Sequence, residues 1–169
     1  MVDVTTSDNE STLSKLKRGF NPRNIAVVGA ARHNRFFWLK NHVPFHKKHG
    51  KLFHVNIDKN EWAGAEALGI QSFSSLIDIP DAIDYVTVSV PREIVPIVLQ
   101  DCIKKGVAVA HVYAAGFGET GETEGARLDQ IVKDMAQKAD LTVVGPNCMG
   151  LFNPALGIRQ LETQYHTES

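Results

Sequence analysis

The stretch IAVVGAARHNRFFW (Ile25–Trp38) begins as a buried β-strand and continues into a turn and a helix. Its first residues are apolar and partly β-branched, which favours a strand that is covered on both faces. Gly29 follows where a strand-to-helix turn can approach an anion with its backbone amides. The later positions that such turns usually fill with glycine hold Arg32 and Arg35 instead. The stretch therefore predicts the first strand, turn and helix of a nucleotide-binding sheet, with charged side chains in the turn.

The same alternation of short apolar runs and longer amphipathic stretches continues from Asn24 to Asn153. This pattern is typical of a parallel sheet with helices on both faces. It predicts an α/β, Rossmann-like three-layer fold with a mostly parallel sheet in a single domain. We expect strands in the segments 24–30, 51–59, near Ile70, 82–91, 107–119 and 141–154, and helices in 35–50, 92–106 and 125–140. Pro44 should kink or divide the first of these helices, Pro91 should start the second, and Gly106 should cap it.

Composition and charge limit the class of protein. The chain has 169 residues, of which 43% are hydrophobic and 22% charged, as in an ordinary globular domain. A net charge of −1 argues against a general nucleic-acid binder. Its apolar runs are shorter than the roughly 20 residues of a membrane span, and the first residues lack the apolar core of a signal peptide. Cys102 and Cys148 lie in unlike contexts, so we expect free thiols and a cytoplasmic location.

The domain boundaries follow from the same patterns. We expect a flexible N-terminal tail and a short helix over residues 1–19, because this region is rich in Ser, Thr and Asp. The Rossmann-like domain is expected over residues 20–154, followed by a C-terminal extension over residues 155–169.

Five segments should meet where the parallel strands end, because ligands of such sheets bind beyond the carboxyl ends of the strands. They are 29–35, 56–59, 89–93, 113–119 and 145–150. In the first loop, backbone amides at the start of a helix favour phosphate, and Arg32 and Arg35 can donate charge-assisted hydrogen bonds or remain solvated surface charges. The candidate binding residues of this loop are Gly29, Ala30, Ala31, Arg32, His33 and Asn34.

The later segments offer further candidates. Asp58 stands where an acid holds a ribose hydroxyl and favours NAD, whereas Lys59 favours a phosphorylated ribose or a polyphosphate; either residue can also simply form the turn. Val90 and Pro91 make an apolar shelf for an adenine ring. Small residues let a narrow chain lie against backbone at Ala114 and Ala115.

Two further patterns suggest chemical sites. The turn GPNCMG (145–150) presents Asn147 as a candidate ligand contact, and Cys148 as a possible nucleophile or, more simply, a structural or ligand-contacting residue. Histidines 42, 46 and 49 have metal-like spacing. Pro44 should break the helix that they would need, so we predict surface histidines, no metal site and no catalytic residue.

Taken in order, five segments resemble the CoA-binding domain of the ADP-forming acyl-CoA synthetases and of the succinyl-CoA synthetase α subunit. They are NPRNIAVVGA (21–30), HVNIDK (54–59), DYVTVSVP (84–91), AAGFGE (114–119) and GPNCMGLFNP (145–154). The resemblance covers about Phe20 to Pro154. It implies that CoA lies across the strand ends, with its nucleotide held by the first loop and by a lysine, and its pantetheine arm along the later loops. By position these contacts fall on Ala31, Arg32, His33, Asn34, Lys59, Tyr113, Ala114 and Ala115.

The first loop departs from the pattern G-x-T-G-x-x-G of succinyl-CoA synthetase. Ala31 replaces the hydroxyl residue, and Arg32 and Arg35 replace the later glycines. The expectation that follows is that arginine charge takes over from glycine amides.

The resemblance also implies what a ligase needs besides this region. In the family, a phosphorylated histidine lies in a following domain and an ATP-grasp module binds the nucleotide. We therefore expect a CoA-binding domain or subunit of an ADP-forming acid–CoA ligase, which converts acyl phosphate and CoA to acyl-CoA, and not a complete enzyme. Two alternatives stay open: an NAD- or NADP-binding domain of an oxidoreductase or redox regulator, suggested by Asp58, and a non-catalytic interaction module with a vestigial pocket.

Overall fold

The computed structural model describes residues 6–164, with side chains from residue 12 onward. The expectations for residues 1–5 and 165–169 lie outside the described residues. Within them, six strands form one sheet in the order β3-β2-β1-β4-β5-β6, and every neighbouring pair is parallel. The strands are β1 (Asn24–Val28), β2 (Lys51–Val55), β3 (Gln71–Phe73), β4 (Tyr85–Val88), β5 (Val109–Val112) and β6 (Thr142–Val144). The predicted α/β class and the predicted strands are confirmed.

Five α-helices accompany the sheet in the described part of the chain. They are α1 (Thr6–Phe20), α2 (Phe37–Lys48), α3 (Trp62–Glu66), α4 (Val95–Lys105) and α5 (Thr123–Lys138). None of these helices is both long enough and apolar enough to cross a bilayer.

Alternate residues of each strand enter two separate cores. Ala26 and Val28 face α4 and α5, whereas Ile25 and Val27 face α2 and α3. This alternation is the period of two that strand geometry imposes. Both faces of the central strands are therefore covered, which explains their nearly continuous apolar sequence.

The face of the sheet that packs against α2 and α3 also carries a row of buried polar side chains. His54, Thr87 and His111 are fully buried, and the register aligns His54 with Val27, Val27 with Thr87, and Thr87 with His111. His42 of α2 packs on this row, with its Nε2 3.4 Å from Thr87 Oγ1.

Pro44 was expected to kink or divide the first long helix, and division is wrong. The helix α2 runs without interruption from Phe37 to Lys48 with Pro44 inside it. A proline lacks the N–H that would bond the carbonyl four residues earlier, here Lys40 O. Arg159, far along the chain, donates from Nη2 to that oxygen at 3.4 Å. A tertiary contact thus replaces the lost helix hydrogen bond.

The start of α4 also differs from the expectation. Pro91 lies in a turn in which Ile94 N donates to Pro91 O at 2.9 Å, and the helix begins only at Val95 with Pro96 in its first turn. The predicted cap is confirmed, since Gly106 ends α4 in the left-handed conformation with φ of 67°.

The strand order reverses between β1 and β4, because the chain moves outward from β1 to β2 and β3 and then returns to the other side. This is the strand order of dinucleotide-binding Rossmann folds, which bind ligands beyond the carboxyl ends of the strands at this point.

Candidate functional site

A groove of about 840 Å³ opens at this switch point. Its volume lies in the range of small-molecule and cofactor sites. Residues after the ends of β1, β2, β4 and β5 line it, so four of the five predicted segments meet there. The lining residues are Gly29, Ala31, His33, Asn34, Asn56, Ile57, Ser89, Val90, Pro91, Arg92, Ile94, Ile97, Tyr113, Ala114 and Ala115.

Gly29 lets the first loop pass directly over the end of β4. Its φ is +90°, a conformation that side chains disfavour. A Cβ atom at this position would lie 2.3 Å from Ser89 O and 2.7 Å from Val90 Cγ1. The retained glycine of the pattern is therefore required by both conformation and space.

Asn34 holds the rest of this loop in shape. Its Oδ1 accepts a hydrogen bond from Ala31 N at 3.0 Å, and its Nδ2 donates to Gly29 O at 3.0 Å. These two hydrogen bonds fix the conformation of the turn. The Asn34 side chain thus stabilises a loop that lacks the later glycines of the related pattern.

Arg32 already has an acidic partner within the chain. Its backbone N donates to Glu61 Oε2 at 2.8 Å, and its Nε lies 3.3 Å from Glu61 Oε1. The Arg32 side chain is 70% exposed, whereas that of Glu61 is only 13% exposed. The Glu61 carboxylate thus contacts the backbone amide and the guanidinium Nε of Arg32, the groups that were expected to bind a phosphate.

The end of β2 contributes Asn56 and Ile57 to the groove, but not Asp58 or Lys59. Asp58 forms the turn, because its Oδ1 accepts from Asn60 N at 3.0 Å. The exposed Lys59 places its Nζ 5.5 Å from the centroid of the Trp62 ring.

Arg92 places a guanidinium group in the lining of the groove. Its Nη1 donates to Gly116 O at 2.6 Å and lies 3.1 Å from Glu122 Oε2. Hydrogen bonds with Glu93 and Glu122 raise the pKa of Arg92. These bonds tie the loop after β4 to the loop after β5.

One wall of the groove is apolar. Ile57 is 87% exposed and Ile97 is 57% exposed, although both are large hydrophobic side chains. Below them lies a pocket of about 220 Å³ that also includes Leu76 and Val98. Exposed apolar surface in a concave site indicates a binding surface for an apolar group or a flat ring.

The loop after β6 stays beside the groove. Asn147 N donates to Ala114 O at 3.0 Å, but Asn147 does not line the groove. His111 Nε2 donates to the backbone O of Cys148 at 2.6 Å, and the thiol Sγ lies 3.4 Å from Gly150 N. The imidazole therefore contacts the carbonyl of Cys148 and not its thiol, which gives no support to a nucleophile at this position.

The histidines with metal-like spacing point to different surroundings. The helix that carries His42 and His46 is continuous, contrary to the expectation, but His42 is buried against Thr87 while His46 contacts the Gly50 carbonyl. Among residues 6–164, no three or more His, Cys, Asp or Glu side chains are grouped to hold a metal ion. Burial lowers the pKa of His42 to about 3.

The predicted binding residues thus divide into two sets. Those that line the groove are Gly29, Ala31, His33, Asn34, Val90, Pro91, Tyr113, Ala114 and Ala115; those that do not are Ala30, Arg32, Asp58, Lys59 and Asn147. Sequence reasoning missed Asn56, Ile57, Ser89, Arg92, Ile94 and Ile97. Four of them lie within the strand-end segments 56–59 and 89–93, so their position after a strand could have identified them.

This fold and this groove define a Rossmann-type nucleotide-binding domain. Within that class, residues 23–154 match the family described as the CoA binding domain. The chain belongs to this family.

Relatives and solved structures agree with this assignment. The α subunit of the ADP-forming acetate–CoA ligase II of Pyrococcus furiosus is 35% identical over 137 residues, which are 79% of this chain and 28% of that protein. Among solved structures, PH0766 from Pyrococcus horikoshii OT3 has a TM-score of 0.73 and 36% identity, covering 88% of this chain and 33% of that one. The dinucleotide-forming acetyl-coenzyme A synthetase 1 of Ca. Korarchaeum cryptofilum has a TM-score of 0.73 and 32% identity, covering 87% and 31%. The chain spans about a third or less of each of these relatives and corresponds to the CoA-binding region of ADP-forming acid–CoA ligases.

Proposed function

We propose that this chain holds CoA across the carboxyl edge of its sheet and presents the thiol to the remaining parts of an ADP-forming acid–CoA ligase. The observation that carries the proposal is the groove over four strand ends in a chain of the CoA-binding family. In the reaction, CoA sulfur attacks the carbonyl carbon of an acyl phosphate, phosphate leaves, and acyl-CoA forms.

The adenine ring would lie on the apolar wall. Ile57, Ile94 and Ile97 expose hydrophobic surface there, and all three also line the pocket beneath the groove. Burying this surface under a ring would contribute roughly 25 cal/mol for each Å² removed from water.

The diphosphate would lie at the first loop, and the pantetheine arm would pass the later loops. His33 and Asn34 line the groove at the first loop, while Ala114 and Ala115 line it after β5. Small side chains leave room for a narrow chain against the backbone, which is what a pantetheine arm requires.

A titration of the purified chain with CoA, NAD and NADP tests the proposal. We expect CoA at a hundred times its dissociation constant to stabilise the fold by about 2.7 kcal/mol, observed as a rise in Tm, with little effect of NAD or NADP. An unchanged Tm with millimolar CoA would contradict the proposal. Stabilisation by NAD alone would favour an oxidoreductase domain.

Replacing Lys59 by alanine should weaken binding of CoA by about 1–3 kcal/mol, because a charge-assisted contact with a phosphate would be lost. Lys59 follows the groove residues Asn56 and Ile57, where the phosphate on the ribose 3′ position would lie. Calorimetry with CoA and with 3′-dephospho-CoA separates the phosphate from the rest of the ligand. The dephosphorylated ligand should bind the variant and the parent equally, and Lys48→Ala, an exposed lysine of α2, is the matched control.

The ion pair between Arg32 and Glu61 leads to a second prediction: substitutions of its two members should change the affinity for CoA in opposite directions. If phosphate replaces the carboxylate of Glu61 on Arg32, then Arg32→Ala should weaken CoA binding about tenfold, within the range for a charge-assisted contact. Glu61→Gln should strengthen it severalfold, because a competing negative charge is removed. Calorimetric titration of both variants measures this, and weaker binding by Glu61→Gln would show that the carboxylate organises the loop and does not compete for it.

The phosphoryl chemistry would come from a further domain or subunit. We propose an ATP-grasp module and a phosphorylated histidine as the partners, because the matched region is only 28% of the α subunit of the ADP-forming acetate–CoA ligase II of Pyrococcus furiosus. Cys102 and Cys148 are both free thiols, which supports a cytoplasmic location.

A further inference from the structure

A small aromatic pocket adjoins the groove beside Tyr113, which follows β5. It measures about 180 Å³ and is lined by Asn34, Phe37, Trp38, Ser89 and Tyr113. Asn34, Ser89 and Tyr113 also line the groove, so the two spaces adjoin.

We infer that this aromatic pocket receives the acyl group carried on the sulfur of CoA, and that it selects uncharged acyl groups up to about the size of one aromatic ring. The inference rests on the proposed function, because it assigns a subsite to the far end of the same ligand. It goes further by naming a class of acyl group and the side chains that choose it.

The position of the pocket follows from the course of the groove. A ligand with its ring at Ile57, after β2, crosses the ends of β1 and β4 and reaches Tyr113, after β5. Its far end then lies beside Trp38 and Phe37. The group attached to that end would enter the side pocket, which opens there.

The lining of the pocket determines the chemistry of its occupant. Trp38 packs edge-on against Tyr113, with ring centroids 5.2 Å apart, and against Phe37 at 5.1 Å. None of the five lining side chains is charged. An apolar acyl chain would gain buried contact there, whereas a terminal carboxylate would lose its hydration without an ionic partner.

Trp38 supplies a second observation. The residue is 2% exposed, and its indole Nε1 is buried without a hydrogen-bond partner among the described residues. Buried polar groups usually have partners, and an unsatisfied donor costs about 1–3 kcal/mol. Because this nitrogen has no accessible surface in the unliganded pocket, an acyl carbonyl would accept from it only if the indole ring shifted.

Pocket size sets the upper limit of the acyl group. A dry protein cavity of about 150 Å³ holds one benzene molecule. A pocket of about 180 Å³ therefore accommodates a branched chain of a few carbons or a single ring, and a long fatty acyl chain would extend beyond it.

Calorimetry with CoA, butyryl-CoA, phenylacetyl-CoA and succinyl-CoA tests the inference on the unmodified chain. We expect butyryl-CoA and phenylacetyl-CoA to bind at least fivefold more tightly than CoA, and succinyl-CoA to bind no more tightly than CoA. Equal affinities for all four ligands, or a gain for succinyl-CoA equal to that for butyryl-CoA, would overturn the inference while CoA binding itself stands. Absence of binding by CoA would instead refute the proposed function, and the inference with it.

Two variants test whether the aromatic pocket causes the gain in affinity of the acyl-CoA ligands over CoA. Phe37→Ala widens the aromatic pocket and should remove most of the gain for butyryl-CoA, while CoA itself binds within twofold of the parent. Trp38→Phe keeps an aromatic ring but removes the indole N–H, and it should reduce the gain without changing the order of the ligands. If both variants keep the full gain, the acyl group binds elsewhere and the inference fails. Phe37 is only partly buried at the start of α2, so its variant tests the pocket even if Trp38→Phe folds poorly.

Discussion

Replacing Gly29 by alanine should abolish measurable CoA binding and lower the free energy of unfolding by about 2–5 kcal/mol. The conformation at φ of +90° is unfavourable for any side chain, at a cost of about 1–2 kcal/mol. The added Cβ would also meet Ser89 O at 2.3 Å, and overpacking of this kind costs typically about 1–3 kcal/mol.

We expect a larger effect on CoA binding than on the free energy of unfolding, because the residues that must move form part of the groove. Both Ser89 and Val90, which the new Cβ would touch, line the groove. Relief of the clash requires separation of the first loop from the end of β4, which is the floor on which CoA would lie.

Gly69→Ala is the matched control for this variant. Gly69 also has a positive φ, of +76°, but a Cβ atom there would meet nothing within 4 Å. Its alanine variant should therefore show the conformational cost alone, about 1–2 kcal/mol, with CoA binding intact. Urea unfolding and calorimetry of the two variants give both quantities. If Gly29→Ala binds CoA like the parent, the close approach of loop and strand is not needed for the site.

The sequence was sufficient for the fold because its central strands are covered on both faces. Short apolar runs rich in β-branched residues, such as those around Val27 and Val86, favour strands that are buried on both faces. The division of α2 at Pro44 was predicted wrongly for the opposite reason. Arg159 supplies the compensating hydrogen bond from far along the chain, and no local pattern indicates that contact.

The site was predictable in its position but less so in its chemistry. Parallel strands must bring their carboxyl ends to one edge, so the groove follows from the order of the segments. The charge of Arg32 suggested a side chain available to a phosphate. Its partner Glu61 is 29 residues away in the sequence, and only the folded chain brings the two together. Arg92 was missed because its role in joining two loops depends on Gly116 and Glu122, which follow the next strand.

Acidification should destabilise this domain strongly between pH 6.5 and pH 4, because three imidazoles are buried in it. His42, His54 and His111 are each at most 1% exposed. Burial is the largest cause of the lowered pKa of all three, and the pKa of His42 falls to about 3. Hydrogen bonds to Ala30 O and Cys148 O oppose this effect at His54 and His111 without reversing it.

The direction of the pH dependence follows from proton counting. In the unfolded chain a histidine takes up a proton near pH 6.5, whereas folded His42 stays neutral until about pH 3. Between these values the unfolded state binds more protons, so the free energy of unfolding falls as the pH falls. One such histidine removes about 1.4 kcal/mol for each pH unit, or about 2 kcal/mol at pH 5. A domain of ordinary stability has only about 5–15 kcal/mol to lose.

Urea unfolding at pH values from 7 to 4.5 measures this slope, and His42→Gln assigns part of it. The variant should have a slope smaller by about one proton, whatever its absolute stability, because the slope counts protons and not contacts. His49→Gln removes an exposed histidine near the end of the same helix and is the matched substitution at the surface. An identical slope for His42→Gln and the parent would mean that His42 is protonated in the folded state. The imidazole would then be a cation beside Arg159, which itself contributes to the lowering of the His42 pKa. Two positive charges would then lie side by side with the His42 charge fully buried, an arrangement that desolvation strongly disfavours, so neutrality of His42 is the physical basis of the expected acid sensitivity.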